Sequence, residues 1–211
     1  MLVRAHLTDT SIYLLSIGDL SGDYVDGHYG RIFYGIRGSR TYQTRGVALE
    51  GLYRPSDMAF GALNGDGKQE LVVCNFGIGT GSIAIHEMKE DGFSFDEKPR
   101  QLLSSESGPT DCEILDLDGD GDLDVAALLS DAREGLALFI NKGNWEFERK
   151  TVITKHPSFG YIGFRWLDFD KDGDLDVVTI NGDNGDSDPY NTLKNYHGIR
   201  IYLNDGSLNF E

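Results

Sequence analysis

Long apolar runs are missing from this chain, and no stretch is long enough to cross a bilayer as a helix. Met1-Leu-Val-Arg-Ala-His lacks a charged segment followed by an apolar one, so no signal peptide is visible. Basic residues are scarce: 19 Lys and Arg stand against 35 Asp and Glu, giving a formal charge of −16. With no basic patch, a negative field opposes phosphate backbones and anionic lipid, which argues against nucleic acid and against membrane insertion. Cysteine is limited to Cys74 and Cys112, both in strand-like runs. Neither has a CxxC partner, so zinc has no support, and two buried thiols are favoured over a disulfide. Catalytic signatures are also missing: there is no GxSxG elbow, no HExxH and no phosphate-binding Walker loop. The five histidines (His6, His28, His86, His156 and His197) are scattered without ligand spacing. No stretch has the periodicity of an amphipathic helix.

What the chain does have is one acidic pattern, repeated. Asp116-Leu-Asp118-Gly-Asp120-Gly121-Asp122-Leu-Asp124 runs directly into Val125-Ala-Ala-Leu-Leu, and Asp168-Phe-Asp170-Lys-Asp172-Gly173-Asp174-Leu-Asp176 into Val177-Val-Thr-Ile. A worn copy spans Ala62-Leu-Asn64-Gly-Asp66-Gly67-Lys68-Gln-Glu70. Five carboxylates in nine residues repel one another unless a cation lies among them. Hard oxygen ligands in that number suit Ca2+ better than zinc or magnesium. The EF-hand opens in the same way but needs a glutamate at position twelve and flanking helices. Position twelve here is Ala127 or Thr179, and the flanks are short, apolar and β-branched. The closing acid is therefore expected at position nine, and the flanks are expected to be strands.

The loop glycines Gly67, Gly121 and Gly173 stand 54 and 52 residues apart. A second pattern keeps step with them: Gly30-Arg-Ile-Phe-Tyr, Gly81-Ser-Ile-Ala-Ile, Gly135-Leu-Ala-Leu-Phe and Gly198-Ile-Arg-Ile-Tyr, two of them ending in Asn-Lys-Gly or Asn-Asp-Gly turns. Periods near fifty residues, each with about four short strands, mark propeller blades. The fold class is therefore all-β: one β-propeller segment over 1–211, built of four-stranded antiparallel blades. Its units are a degenerate blade at 9–50, blades at 55–104 and 109–154, and an incomplete blade at 160–211 with an inserted loop at 181–197. The segment Leu2–Leu7 is either the innermost strand of the first unit or the tail of a preceding one. Inner strands are expected over Met58–Leu63, Cys112–Leu117 and Phe164–Phe169. The last unit stops in mid-pattern, so an incomplete arc of about four blades is expected, with the natural chain continuing beyond Glu211.

The repeated acidic unit resembles the FG-GAP/VCBS-repeat β-propellers, and its loops are similar to those of the integrin α-subunit propeller. The resemblance covers about residues 55–211 and, more weakly, 9–50. Spacing and resemblance agree on roles. Asp116, Asp118, Asp120 and Asp124 would give side-chain oxygens, with the carbonyl of Asp122; Asp168, Asp170, Asp172 and Asp176 would do so with the carbonyl of Asp174. Asn64, Asp66 and Glu70 with the Lys68 carbonyl form a weaker set, since Ala62 removes one acid. Ca2+ fixing the turn between strands is preferred over a ligand bridged through it. The insertion offers a candidate ligand loop in Asp183, Asn184, Asp186, Asp188, Tyr190, Tyr196 and His197, the alternative being a solvated loop. The reading is an extracellular or periplasmic, calcium-stabilised, non-catalytic scaffold for a protein or carbohydrate ligand. One alternative is part of a polysaccharide-active or quinone-dependent enzyme with its catalytic residues elsewhere. Another is a structural protein whose copies join through blade edges.

Overall fold

A computed structural model describes residues 2–16, 29–38, 41–77, 80–131, 133–182 and 197–211. Its strands fall into four antiparallel sheets, each assembled in chain order. The first holds β1 (Leu2–Leu7), β2 (Ser11–Ser16), β3 (Tyr29–Arg37) and β4 (Tyr42–Tyr53). The second holds β5 (Pro55–Gly61), β6 (Glu70–Asn75), β7 (Ser82–His86) and β8 (Gln101–Ser104). The third holds β9 (Pro109–Leu115), β10 (Asp124–Leu129), β11 (Glu134–Asn141) and β12 (Phe147–Lys155). The fourth holds β13 (Tyr161–Leu167), β14 (Asp176–Asn181) and β15 (Gly198–Tyr202). Beyond β15, Glu211 exchanges two backbone hydrogen bonds with Leu203 where a fourth strand would begin. Among the described residues the only helical turn is the 3-10 segment Pro157–Phe159, capped by the His156 side chain.

These sheets are propeller blades. The alternation of β6 and β10 shows why: both faces of each strand are buried, but against different neighbours. Leu71 and Val73 pack towards the first sheet with Tyr13, Leu15, Ile32 and Phe95, whereas Val72 and Cys74 pack towards the third. In β10, Val125 and Ala127 meet the second sheet while Ala126 and Leu128 meet the fourth. Successive side chains of a strand point to opposite faces, so a strand between two blades must be apolar throughout. The innermost strands β1, β5, β9 and β13 neighbour one another around the axis. Thus Leu2–Leu7 is the innermost strand of the first blade, one of the two placements its sequence allowed. The two end sheets share no packed interface among the described residues, so the propeller is an open arc.

The inner strands begin earlier than their apolar runs suggest, at Pro55, Pro109 and Tyr161, and stop two residues sooner, at Gly61, Leu115 and Leu167. Each carries an irregularity in pairing near its start, at Leu2/Arg4, Pro55/Asp57, opposite Leu128/Leu129, and at Tyr161/Gly163. In β5 and β9 the bulge places an aspartate, Asp57 or Asp111, at the axis, which hides the strand start from an apolar pattern.

Candidate metal centre

Each acidic loop joins the innermost strand of a blade to the second. In the third blade the chain wraps around its own carboxylates. Asp116 accepts from the N–H groups of Gly119 (2.8 Å) and Gly121 (3.1 Å), and Asp120 accepts from Asp122 N–H (2.9 Å). Gly121 holds φ 93°, which a side chain would oppose. The result brings one oxygen each from Asp116, Asp118 and Asp120 within 4.8 Å of one another. In the fourth blade Asp168, Asp170 and Asp176 are gathered within the same limit. Asp172 accepts from Asp174 N–H at 3.2 Å, and Asp122 lies exposed at the equivalent place of the third loop. Exposed acidic clusters also occur without an ion, so the fit must rest on something further. Asp174 Oδ1 is shielded from solvent and has no hydrogen-bond partner. Desolvation, then Asp172, pushes its carboxyl up, and desolvation with Asp172 and Asp176 does the same to Asp170. An arrangement that penalises its own negative charge suits a hard divalent cation. Such an ion would supply positive charge among these oxygens and hold the turn.

The ninth residues have a second role that their spacing does not disclose. Asp124 and Asp176 are fully buried. Asp124 accepts from Leu117 N–H (2.8 Å) and from Asn141 N–H (2.7 Å), one bond to each oxygen. Asp176 does the same with Phe169 (2.7 Å) and Asn204 (2.8 Å). These carboxylates tie the first, second and third strands of a blade together whether or not a cation is present. Burial pushes the Asp124 carboxyl up, and the two N–H bonds oppose that shift. Asn141 also donates to Leu123 O and, across the blade boundary, to Leu63 O. At the rim of the third loop, Lys142 Nζ lies 3.3 Å from Asp118.

The 62–70 loop keeps the same turns with fewer acids. Asn64 accepts from Asp66 N–H, Asp66 from Lys68 N–H, and buried Glu70 from Leu63 N–H at 2.7 Å. Ala62 removes the carboxylate that accepts two glycine N–H groups in the third blade. Of the candidate ligand loop, Asp183, Asn184, Asp186, Asp188, Tyr190 and Tyr196 lie outside the described residues, and His197 stands at its exit before β15. Both cysteines are free and buried; neighbouring Cys74 and burial raise the Cys112 thiol, which makes it a poor nucleophile. His86 is buried against the carbonyl of Asp96 and is held neutral by desolvation.

One polar cluster escaped the sequence reading. Asp57 and Asp111 are both buried at equivalent bulges of β5 and β9, with their carboxyls side by side, and Asp57 accepts from the N–H of Cys112 at 2.9 Å. Arg4 from β1 meets Asp57 at 2.8 Å, and Arg165 from β13 meets Asp111 at 3.1 Å and Glu113 at 2.8 Å. Four blades are thereby joined at the axis. The signal was present as Pro55-Ser-Asp57 and Pro109-Thr-Asp111, 54 residues apart like the loop glycines. Burial, then the neighbouring Asp111 carboxyl, pushes Asp57 up to about 7. The folded state therefore holds a proton that the unfolded chain releases near 3.8, so this stabilisation is complete at acid pH and fades as pH rises towards 7. Urea unfolding at constant metal saturation should show stability falling between about pH 4 and 7, by on the order of 4 kcal/mol, and levelling off above. In Asp111→Asn an amide donates permanently to Asp57 and its oxygen still accepts from Arg165, so the slope should flatten. An unchanged slope would remove the shared proton.

Comparison with known families adds one finding. The FG-GAP-like repeat matches residues 63–127 and again 116–179, together more than half of the chain. No curated protein matches it.

Proposed function

Because the chain belongs to the FG-GAP-like repeat family, we propose that it is a calcium-stabilised, non-catalytic propeller scaffold that presents a protein or carbohydrate ligand site outside the cytoplasm. The observation that carries the metal assignment is the convergence of three carboxylate oxygens within 4.8 Å in two successive blades, at the same turn. Asp116, Asp118 and Asp120 would hold the cation in one loop, and Asp168, Asp170 and Asp176 in the other, with the Asp122 and Asp174 carbonyls completing each set. The 62–70 loop, short of one acid, would bind weakly at best. Sites of this kind fill at the millimolar calcium outside cells and stay largely empty at cytosolic levels, which supports an extracellular or periplasmic setting. The loops sit at the end of each blade opposite the connection that leaves Asn181 and returns at Gly198. A cation there would stiffen the blades, and the 181–197 insertion is the proposed ligand contact.

Titration calorimetry with calcium, using magnesium as control, tests the metal reading. Two strong calcium sites are expected, falling to one in either Asp120→Ala or Asp170→Ala and to none in the double variant. Undiminished binding in the double variant would place the ions elsewhere, and no binding to the unaltered chain would end the proposal.

A further inference from the structure

Two turns of the molecule are built alike and differ in the side chain they carry inward. Asn141-Lys-Gly-Asn-Trp145-Glu-Phe147 stands at the end of the third strand of its blade, and Asn204-Asp-Gly-Ser-Leu208-Asn-Phe210 follows the third strand of the next. The second residue donates to the carbonyl of the sixth in both, Lys142 to Glu146 at 2.8 Å and Asp205 to Asn209 at 3.1 Å. The third and fifth hold positive φ, 76° at Gly143 and 64° at Trp145, 76° at Gly206 and 59° at Leu208. Trp145 packs into the core between the second and third blades, Leu208 into that between the third and fourth.

The two joints differ in what surrounds that side chain. The Trp145 ring is covered by Arg100 of the second blade, whose guanidinium lies 5.1 Å from the ring centre. Beside the smaller Leu208 a cavity of about 310 Å³ opens between the turn and the outer strands of the third blade, at the small end of ligand-site sizes. Ile140 and Leu208 form its apolar floor. On β12, Glu148 pairs with Ile140 and Lys150 with Leu138, which sets both charged side chains on the face that meets the fourth blade. Among the described residues Lys150 Nζ has only a neutral partner, the Ser207 carbonyl at 2.7 Å. Lys142 completes the rim, its ammonium 3.3 Å from Asp118.

We propose that this cleft between the third and fourth blades binds one hexuronate ring of an acidic saccharide, with the carboxylate held by Lys142 and Lys150. A formal charge of −16 repels anions at a distance, so an anion is held only where cations stand close, and two ammonium groups line this one cavity. Ring hydroxyls find acceptors in Glu148 and the Ser207 carbonyl, and the C–H face of the ring rests on Leu208 and Ile140. A neutral sugar would leave Lys150 with nothing but a carbonyl. An acidic peptide would bring no hydroxyls to Glu148 and would meet its charge instead. Asn181 and Gly198, where the 181–197 insertion leaves and returns, lie at the far end of β14 and β15, so this is a second site.

Amide-shift NMR titration of the isotope-labelled whole chain tests this with methyl glucuronide and with methyl glucoside, the same ring without the carboxylate. The glucuronide should shift Lys150, Ser207 and Leu208 saturably. It should bind at least about tenfold more tightly than the glucoside, the worth of one charged hydrogen bond. Lys150→Gln should weaken binding by a similar factor. Leu208→Trp, which gives this joint the side chain of its twin, should abolish binding by filling the cavity, and matching circular dichroism would show that the variant folds. Glucoside binding as tight as glucuronide binding would overturn the proposal, as would undiminished affinity in Lys150→Gln or equal affinity for an oligoglutamate. No saturable shift would also overturn it. The same titration in chelator should give the same result, because Lys150, Glu148, Ser207 and Leu208 lie outside the acidic loops. A chain that ignores calcium would therefore fail the metal reading and leave this one standing.

Discussion

Alanine in place of Asp124 is expected to lower the unfolding free energy by about 3–5 kcal/mol, the range for removing one partner from a buried charged arrangement. The carboxylate is fully buried and receives the N–H groups of Leu117 and Asn141, one on each oxygen. Its removal strands both donors away from water and leaves a void beside β10. Asn141 is also the residue whose side chain donates to Leu63 in the preceding blade, so the damage should spread across that boundary. Asp122→Ala is the control: that side chain is exposed, and its loss should change stability by no more than about 0.5 kcal/mol. Urea unfolding in chelator is the decisive condition. The Asp124→Ala loss should persist there at most of its size, because the two N–H bonds do not need a cation. A loss seen only with calcium would mean that Asp124 acts through metal alone. Asp176→Ala, with its bonds to Phe169 and Asn204, should behave in parallel.

Removing calcium should have the second large effect. A cation that binds only the folded chain adds about 2.7 kcal/mol per site when its free concentration is one hundred times its dissociation constant. Two sites then add roughly 5 kcal/mol, which in a chain of this size corresponds to a melting-temperature rise of roughly 10–20 °C. The rise should be specific to calcium over magnesium, whose rigid octahedral demand fits flexible carboxylate loops less well. Asp120→Ala and Asp170→Ala should each remove about half of it, with little change in chelator. A melting temperature indifferent to calcium would leave Asp116–Asp124 and Asp168–Asp176 as turns held by their own Asx bonds.

The acidic loops were legible because both their chemistry and their period are local: alternate aspartates, a glycine at the sixth place, and a hydrophobic run directly after. The same locality explains the errors. The apolar runs of β5 and β9 begin at Met58 and Cys112, whereas the bulged polar residues before them already lie in the sheet. Asp57 and Asp111 stand out in the sequence only through the repeat of Pro-x-Asp at the loop spacing. Asp124 and Asp176 were read as closing acids, and nothing in nine consecutive residues reports that Asn141 and Asn204 lie against them.

The sequence by itself determined the all-β class, the repeat and the loops in which carboxylates converge, since each follows from side-chain alternation or spacing within one unit. Tertiary structure alone decided which faces are covered. An apolar strand such as β14 looks the same whether one neighbour or two lie against it, because periodicity records the pleat and not the partner. Only the stacking of blades shows that Ile180 and Ile199 face water while Ala126 and Leu128 do not. Only the meeting of β1, β5, β9 and β13 brings Arg4, Asp57, Asp111 and Arg165 to one axis, where distances in sequence of more than fifty residues become contacts of about 3 Å.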